Sequence, residues 1–319
     1  MQKFFSADDI QDIPQLIADA RALKEHPLAH QHLGKGRTLG LVFFNPSLRT
    51  RLSTQKAAYN LGVHVLSINV NQEGWTIETE DGTVMEGTAG EHIKEAAGVL
   101  AQYCDILAVR CFPGLKDREL DYREEVLNKF LHYSRRPVIS LESATMHPLQ
   151  SLADMMTIAE KKRTARPKVV LTWAPQIKAL PQAVANSFAQ WAGRTDCELV
   201  ITHPPGYELD PRFTQGARIT HDQAEAFQGA DFVYAKNWSS YHSYGQILCE
   251  DRSWRIDAEK MALTNQGYFM HCLPVRRNLK VTDEVLDSKA SLVLEQANNR
   301  VYAAQVILKK MLEQMPSLT

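Results

Sequence analysis

The sequence predicts an α/β protein made of two doubly wound parallel-sheet domains. Short apolar, β-branched runs alternate with segments of helical periodicity for most of the chain, which implies parallel strands covered by helices. The rhythm restarts after a polar stretch near residues 142–150, so the sheets are two. A length of 319 residues fits about two domains of 100–200 residues each.

Residues 38–44 read as a buried strand. Residues 51–61 read as a helix with Leu52, Ala57, Ala58 and Leu61 on one side. A strand follows at 64–69, and then a helix at 91–103, where Ile93, Ala96, Ala97, Leu100 and Ala101 recur at helical spacing. Residues 105–110 and 138–141 are further strands. In the second half, 149–160 is helical and 161–168 is a basic connector holding Pro167. Residues 169–173, 199–202, 232–235 and 268–272 are strands, and 182–192 is a helix. The last helix, 299–312, carries Val301, Ala304, Ile307, Leu308 and Met311 as its apolar stripe. There is no solenoid repeat and no low-complexity segment.

Hydrophobic residues make up 44% of the chain, enough for a core that needs no disulfides. Lys and Arg number 36 against 37 Asp and Glu, a balance that argues against a general nucleic-acid or acidic-membrane binder. The five cysteines are widely spaced and form no C-x-x-C pair, so the expected setting is a reducing cytoplasm. The segment MQKFFSADDI does not read as a signal peptide, and no apolar run approaches the roughly 20 residues of a membrane span.

In open parallel sheets, ligands bind beyond the carboxyl ends of the strands. Those ends are polar here: residues 45–51 after the first strand, Arg110 after the third, Glu142 after the fourth, then Lys236 and the segment 271–277. Ser47-Leu48-Arg49-Thr50-Arg51 stands between a strand and a helix. Helix-start amides, two hydroxyls and two arginines would together cradle a phosphate. The same residues also suit a plain N-cap with exposed arginines. No GxxxxGK[ST] occurs, and Gly34, Gly36 and Gly40 precede the strand, which disfavours a nucleotide enzyme. His30 and His32 lack further metal ligands and read as solvated. Cys272 lacks a committed base and is not proposed as a nucleophile.

Three ordered motifs carry a resemblance. Ser47-Leu48-Arg49-Thr50-Arg51 resembles the carbamoyl-phosphate loop of the carbamoyltransferases. His147-Pro148-Leu149-Gln150, followed by Leu152-Ala153-Asp154, resembles their HPxQ motif, and His271-Cys272-Leu273-Pro274 their HCLP motif. The Ser-Met-Gly segment of ordinary ornithine enzymes is missing at Ala235-Lys236-Asn237-Trp238. The chain is similar instead to the acylornithine branch, most of all to its N-succinylornithine type, with the acetyl type next. That resemblance implies a carbamoyl-phosphate domain at 1–145, completed by a C-terminal helix at 299–319, and an acylornithine domain at 146–298. It implies a knotted loop at the proline-bearing stretch 173–181, a homotrimer with shared sites, and neither metal nor other cofactor. It also implies arginine biosynthesis from two small-molecule substrates, carbamoyl phosphate and an N-acylornithine.

The resemblance also distributes roles. Ser47, Leu48, Arg49 and Thr50 would hold phosphate, with Arg300 completing the shell. Arg110, His147 and Thr50 would polarise the carbonyl oxygen, as build-up of charge there demands. Gln150 and the carbonyls of Cys272 and Leu273 would hold the carbamoyl NH2. Trp75, in a polar loop at 71–88, would reach a neighbouring subunit. Glu142, Gln176, Lys236, Arg276, Leu273 and Gly90 would surround the acylornithine. Lys236, Arg276 and a possible third cation, Lys178, suit the two carboxylates of a succinylated ornithine better than the one of an acetylated substrate. The chain has Gly90 where the succinyl type has Pro and the acetyl type Glu, and Gln176 where the succinyl type has His. The alternatives are acetylornithine as acceptor, plain ornithine as acceptor, and a non-catalytic regulatory paralogue.

Overall fold

The computed structural model describes residues 1–316. The first part runs β1 (Lys3–Phe4), α1 (Ile13–Glu25), β2 (Thr38–Phe43), α2 (Leu48–Asn60), β3 (His64–Asn69), α3 (Val70–Glu73), β4 (Thr76–Glu78), β5 (Ala89–His92), α4 (Ile93–Tyr103), β6 (Ile106–Arg110), α5 (Arg118–Tyr122), α6 (Glu125–Ser134) and β7 (Val138–Glu142). Then come α7 (Pro148–Lys161), β8 (Lys168–Trp173), α8 (Ala183–Gly193), β9 (Glu198–Thr202), β10 (Arg218–Thr220), α9 (Gln223–Phe227), β11 (Phe232–Lys236), α10 (Ala258–Met261), β12 (Tyr268–Met270), α11 (Asp283–Leu286) and α12 (Val293–Leu312).

Two five-stranded sheets result, in the orders β1-β7-β6-β2-β3 and β10-β9-β8-β11-β12, with every pairing parallel. Strands β6, β7 and β11 are buried along their whole length, which is why they are almost wholly apolar up to their last residue, with Ser140 of β7 the one small polar interruption. In each sheet the winding reverses beside a central strand. From β2 the chain goes to β3 on one side and returns to β6 on the other; from β8 it goes to β9 and returns to β11. Each reversal opens a crevice at the carboxyl ends. The register puts Arg110 beside Phe43 and Glu142 at the first, and Lys236 beside Trp173 at the second.

Helix α12 packs against α1, α2 and α7. It is therefore buried on more than the expected stripe: Ala303, Ala304, Gln305, Val306, Ile307 and Leu308 are consecutive buried residues, while Val301 is only half-buried. The buried Gln305 is satisfied by Asn60 (2.9 Å) and by the carbonyl of Pro27 (2.7 Å).

Several expectations are corrected. Leu52 is 54% exposed, because α2 buries Thr50, Ser53, Thr54, Ala57 and Ala58, a face at i, i+3, i+4, i+7 and i+8 that Leu52 does not share. The stretch 71–88 is not simply a loop, since β4 pairs in parallel with β5 as a small separate ribbon. The final strand stops at Met270, where the chain turns. Elements β1, α1, α5 and α6 were not expected at all. Among the described residues, no helix is long and apolar enough to cross a membrane, and no cluster of three His, Cys, Asp or Glu could hold a metal.

Candidate active site

At the first crevice, Ser47 is extended (φ −154°) and caps α2. Its Oγ accepts weakly from the Thr50 amide (3.4 Å) and donates to Thr50 Oγ1 (3.0 Å). Thr50 is fully buried and also accepts from Arg300 Nη2 (2.8 Å). Arg300 Nη1 donates to Gln150 Oε1 (2.8 Å). Gln150 Nε2 donates to Asp154 Oδ1, which also accepts from Gln296 Nε2, both at 2.8 Å. Gln296 Oε1 accepts from the His271 amide (2.9 Å). One continuous hydrogen-bonded chain thus joins the three motifs, each placed by a different helix start or strand end. The expected donor Arg51 is not part of it. Its guanidinium donates to Asn69 (2.5 Å) and stacks over Phe43, because it lies one position past the turn of α2 that faces the crevice. Arg49 makes no hydrogen bond among the described residues.

Arg110 ends β6 and Glu142 ends β7, and the two form a buried ion pair. Arg110 also stacks over Phe112, with 4.5 Å to the ring centroid. His147 Nε2 lies 3.4 Å from Glu142 Oε2. Burial, followed by the positive charges of Arg300, Arg110 and Lys236, holds the His147 pKa well below the ordinary imidazole range, so the ring is neutral at pH 7. Burial and Arg110 lower Arg300 to about 10, which leaves it charged. The Leu273 amide donates to His271 Nδ1 (2.9 Å), which puts the proton on Nε2. Buried Arg110 Nε, Arg300 Nε, His147 Nδ1, His271 Nε2 and Gln176 Nε2 have no protein partner. These atoms keep hydrogen-bonding capacity for a polar ligand.

At the second crevice, Lys236 is buried at the end of β11. Asn237 donates to Gln176 Oε1 (2.9 Å) and accepts from Lys280 Nζ. Lys280 is buried. Desolvation first, then Lys236, push its pKa down to about 6. Arg276 is exposed, beyond the cis Leu273–Pro274 bond, and its neighbour Arg277 is taken up by Asp283 and Asp287. Among the described residues, Lys236, Lys280, Arg276 and Lys178 have no carboxylate partner.

Ser47, Thr50, Arg110, His147, Gln150 and Arg300 are therefore brought together, with Glu142 on the Arg110 side. Cys272 and Leu273 follow His271, and Leu48 is on the exposed first turn of α2. Trp75 and Gly90 form a separate pair on the β4–β5 ribbon: the indole lies over Gly90, Nε1 donates to Glu91 (2.8 Å), and a Cβ at position 90 would come within 2.9 Å of the ring. Sequence reasoning missed Lys280, Asn237 and Gln296. Lys280 stands between Leu279 and Val281, and this was its only signal of burial.

Residues 2–160 match the family described as aspartate/ornithine carbamoyltransferase, carbamoyl-P binding domain, and residues 181–311 match its Asp/Orn binding domain. The chain belongs to the aspartate/ornithine carbamoyltransferase family. Within this family it is 54% identical to the N-succinylornithine carbamoyltransferase of Bacteroides fragilis over 99% of this chain and 100% of that one. It is 38% identical to the N-acetylornithine carbamoyltransferase of Xylella fastidiosa, over 98% and 99% respectively. A solved structure of an N-acetyl-L-ornithine transcarbamylase, a glutamate-to-valine variant complexed with carbamyl phosphate and N-succinyl-L-norvaline, superposes with a TM-score of 0.92 at 36% identity. The match covers 98% of this chain and 100% of that one.

Proposed function

We propose that the protein transfers the carbamoyl group of carbamoyl phosphate to the δ-amine of N-succinyl-L-ornithine. The observation that carries this reading is the single hydrogen-bonded chain Thr50–Arg300–Gln150–Asp154–Gln296–His271, set at the first crevice with Arg110 beside it. In this reading Ser47, Leu48, Arg49, Thr50 and Arg300 hold the phosphate. Arg110, Thr50 and neutral His147 donate to the carbonyl oxygen as negative charge builds there. Gln150 and the carbonyls of Cys272 and Leu273 hold the carbamoyl NH2. The neutral amine nitrogen bonds to the carbonyl carbon, the carbon–oxygen bond to phosphate breaks, and phosphate leaves with the electron pair and takes up the proton that the amine gives up. No metal or other cofactor enters.

Two features favour a succinyl acceptor over an acetyl one. Among the described residues Lys236 and Arg276 have no carboxylate partner, and Lys280, pushed down to about 6, would regain its proton beside an anion, so a doubly anionic acceptor suits this crevice. Gly90 places no carboxylate near the acyl group. The relatives with this chain's length and the highest identity reported above bear the succinylornithine name. The reading also assigns residues 1–145 with the last helix to carbamoyl phosphate and 146–298 to the acceptor. It places the enzyme in cytoplasmic arginine biosynthesis, with a threaded 173–181 loop. It makes a homotrimer of the chain, supported by the exposed apolar Leu48, Leu52, Tyr59, Trp75, Val84 and Val99 on α2, α4 and the ribbon.

The test is release of phosphate and of a citrulline-type product from carbamoyl phosphate with succinylornithine, acetylornithine and ornithine in parallel. Turnover led by the succinyl acceptor is expected. Equal or greater turnover with acetylornithine overturns the acceptor assignment, and no transfer to any of the three overturns the reaction.

A further inference from the structure

Glu124 is a buried carboxylate that the chemistry above does not use. It stands between α5 and α6 with a left-handed backbone (φ +52°), a conformation that non-glycine residues seldom adopt. That conformation turns its side chain inward onto the turn 143–146. Oε1 accepts from Ser143 Oγ (2.7 Å), the Thr145 amide (2.7 Å) and Thr145 Oγ1 (2.5 Å), and Oε2 accepts from the Ala144 amide (3.3 Å). The turn closes on itself through the Ser143 amide and the Met146 carbonyl (2.9 Å).

The position of this turn gives the carboxylate its meaning. Glu142, the partner of Arg110, leads into it, and His147 leads out of it. Four donors converge on two oxygens, which an ionised carboxylate satisfies and an amide does not. Burial pushes the Glu124 pKa up, against the pull of Thr145, Ser143 and Ala144. Next to Glu124 in the chain, Asp121 accepts from Tyr244 (3.0 Å) and Tyr122 donates to Gln182, so the same short segment also touches loops of the second sheet.

We infer that Glu124 is a positioning residue for carbamoyl transfer: by fixing the turn 143–146 it sets Glu142 and His147 against Arg110. This rests on the carbamoyl-transfer reading. The experiment is a double-mutant cycle on kcat for purified, folded enzyme, with Glu124→Gln, His147→Ala and the pair. Glu124→Gln is expected to lower kcat about ten- to a hundredfold, the scale of a misplaced catalytic group. In the His147→Ala background it should cost no more than about twofold. Thr145→Ser, which keeps both donors, should retain wild-type kcat, and Thr145→Val should lose about threefold to tenfold only when His147 is present. If Glu124→Gln does not fold, the Thr145 pair decides by the same criteria. Folded Glu124→Gln with kcat within threefold of wild type, or losses that simply multiply with His147→Ala, overturns the inference while leaving the reaction intact. A wild-type protein with no transfer activity overturns both.

Discussion

At the crevice between β2 and β6, each buried arginine has a protein partner: Arg110 has Glu142, and Arg300 has Thr50 and Gln150. At the crevice between β8 and β11, buried Lys280 donates to the neutral Asn237, buried Lys236 has no carboxylate partner among the described residues, and burial together with Lys236 depresses Lys280. The two sheets wind alike, so the difference lies in the side chains at the strand ends. Where cations are paired within the protein, geometry is preset before substrate arrives. Where they are left unpaired, burial disfavours the charged form, as the depressed Lys280 shows, until an anion binds. On the proposed reading the first crevice polarises and the second attracts.

The hardest test of that contrast is Arg110→Ala. It should lower kcat/KM for carbamoyl transfer by about 10²–10³-fold, the loss typical of one charge-stabilising donor. Thermal unfolding should show a folded protein. Near-normal turnover would mean that the paired crevice does not do the polarising.

Lys236→Met comes next. A lost charge-assisted hydrogen bond of about 1.5–3 kcal/mol should raise KM for the acylornithine about 10- to 100-fold, and KM for carbamoyl phosphate should barely move. Equal effects on both substrates would erase the division of labour.

Trp75→Ala should lower activity about tenfold if the β4–β5 ribbon serves a neighbouring subunit. Mixing it with Arg110→Ala after mild dissociation should then restore activity above either parent, as measured by product release. No recovery would return the ribbon to its own subunit.

The smallest effect is on stability. The folded Lys280 pKa, about 6, lies below its ordinary 10.5, so between those values the unfolded chain binds more protons and stability rises with pH. Asp154, raised to about 7 by burial, works the other way between 3.8 and 7. Above about pH 7 only the Lys280 slope remains of these two, at most about 1.4 kcal/mol per pH unit. Denaturant melts from about pH 7 to 9 should therefore show stability rising in the wild type and flatter in Lys280→Met. A slope unchanged by the substitution would mean Lys280 is not the unpaired charge.

Much of this contrast was legible in the sequence, and for a physical reason. Strands buried on both faces exclude charge until they end, so Arg110, Glu142 and Lys236 stood out as the charged residues that stop them. Their crevice followed from the winding rule. The misses have equally local causes. Leu52 looked like a core residue by type, but the small polar face of α2 is the one that packs. Arg51 looked equivalent to Arg49, yet two steps along a helix put a side chain on a different face, where it meets Asn69 instead. Lys280 was invisible, because a lone lysine outside any regular strand carries no pattern of burial. Glu124 was invisible because its inward turn depends on a backbone angle that no residue type announces.

Arg300 reaches Thr50 across 250 positions of sequence. At roughly 5–20 residues per second on a ribosome, the guanidinium is made about 10–50 s after the hydroxyl it must grip. Once β7 has been made, well within that interval, the first sheet has all its strands, but Thr50 still lacks its guanidinium partner. On the proposed reading the anion cradle is therefore completed only late in synthesis.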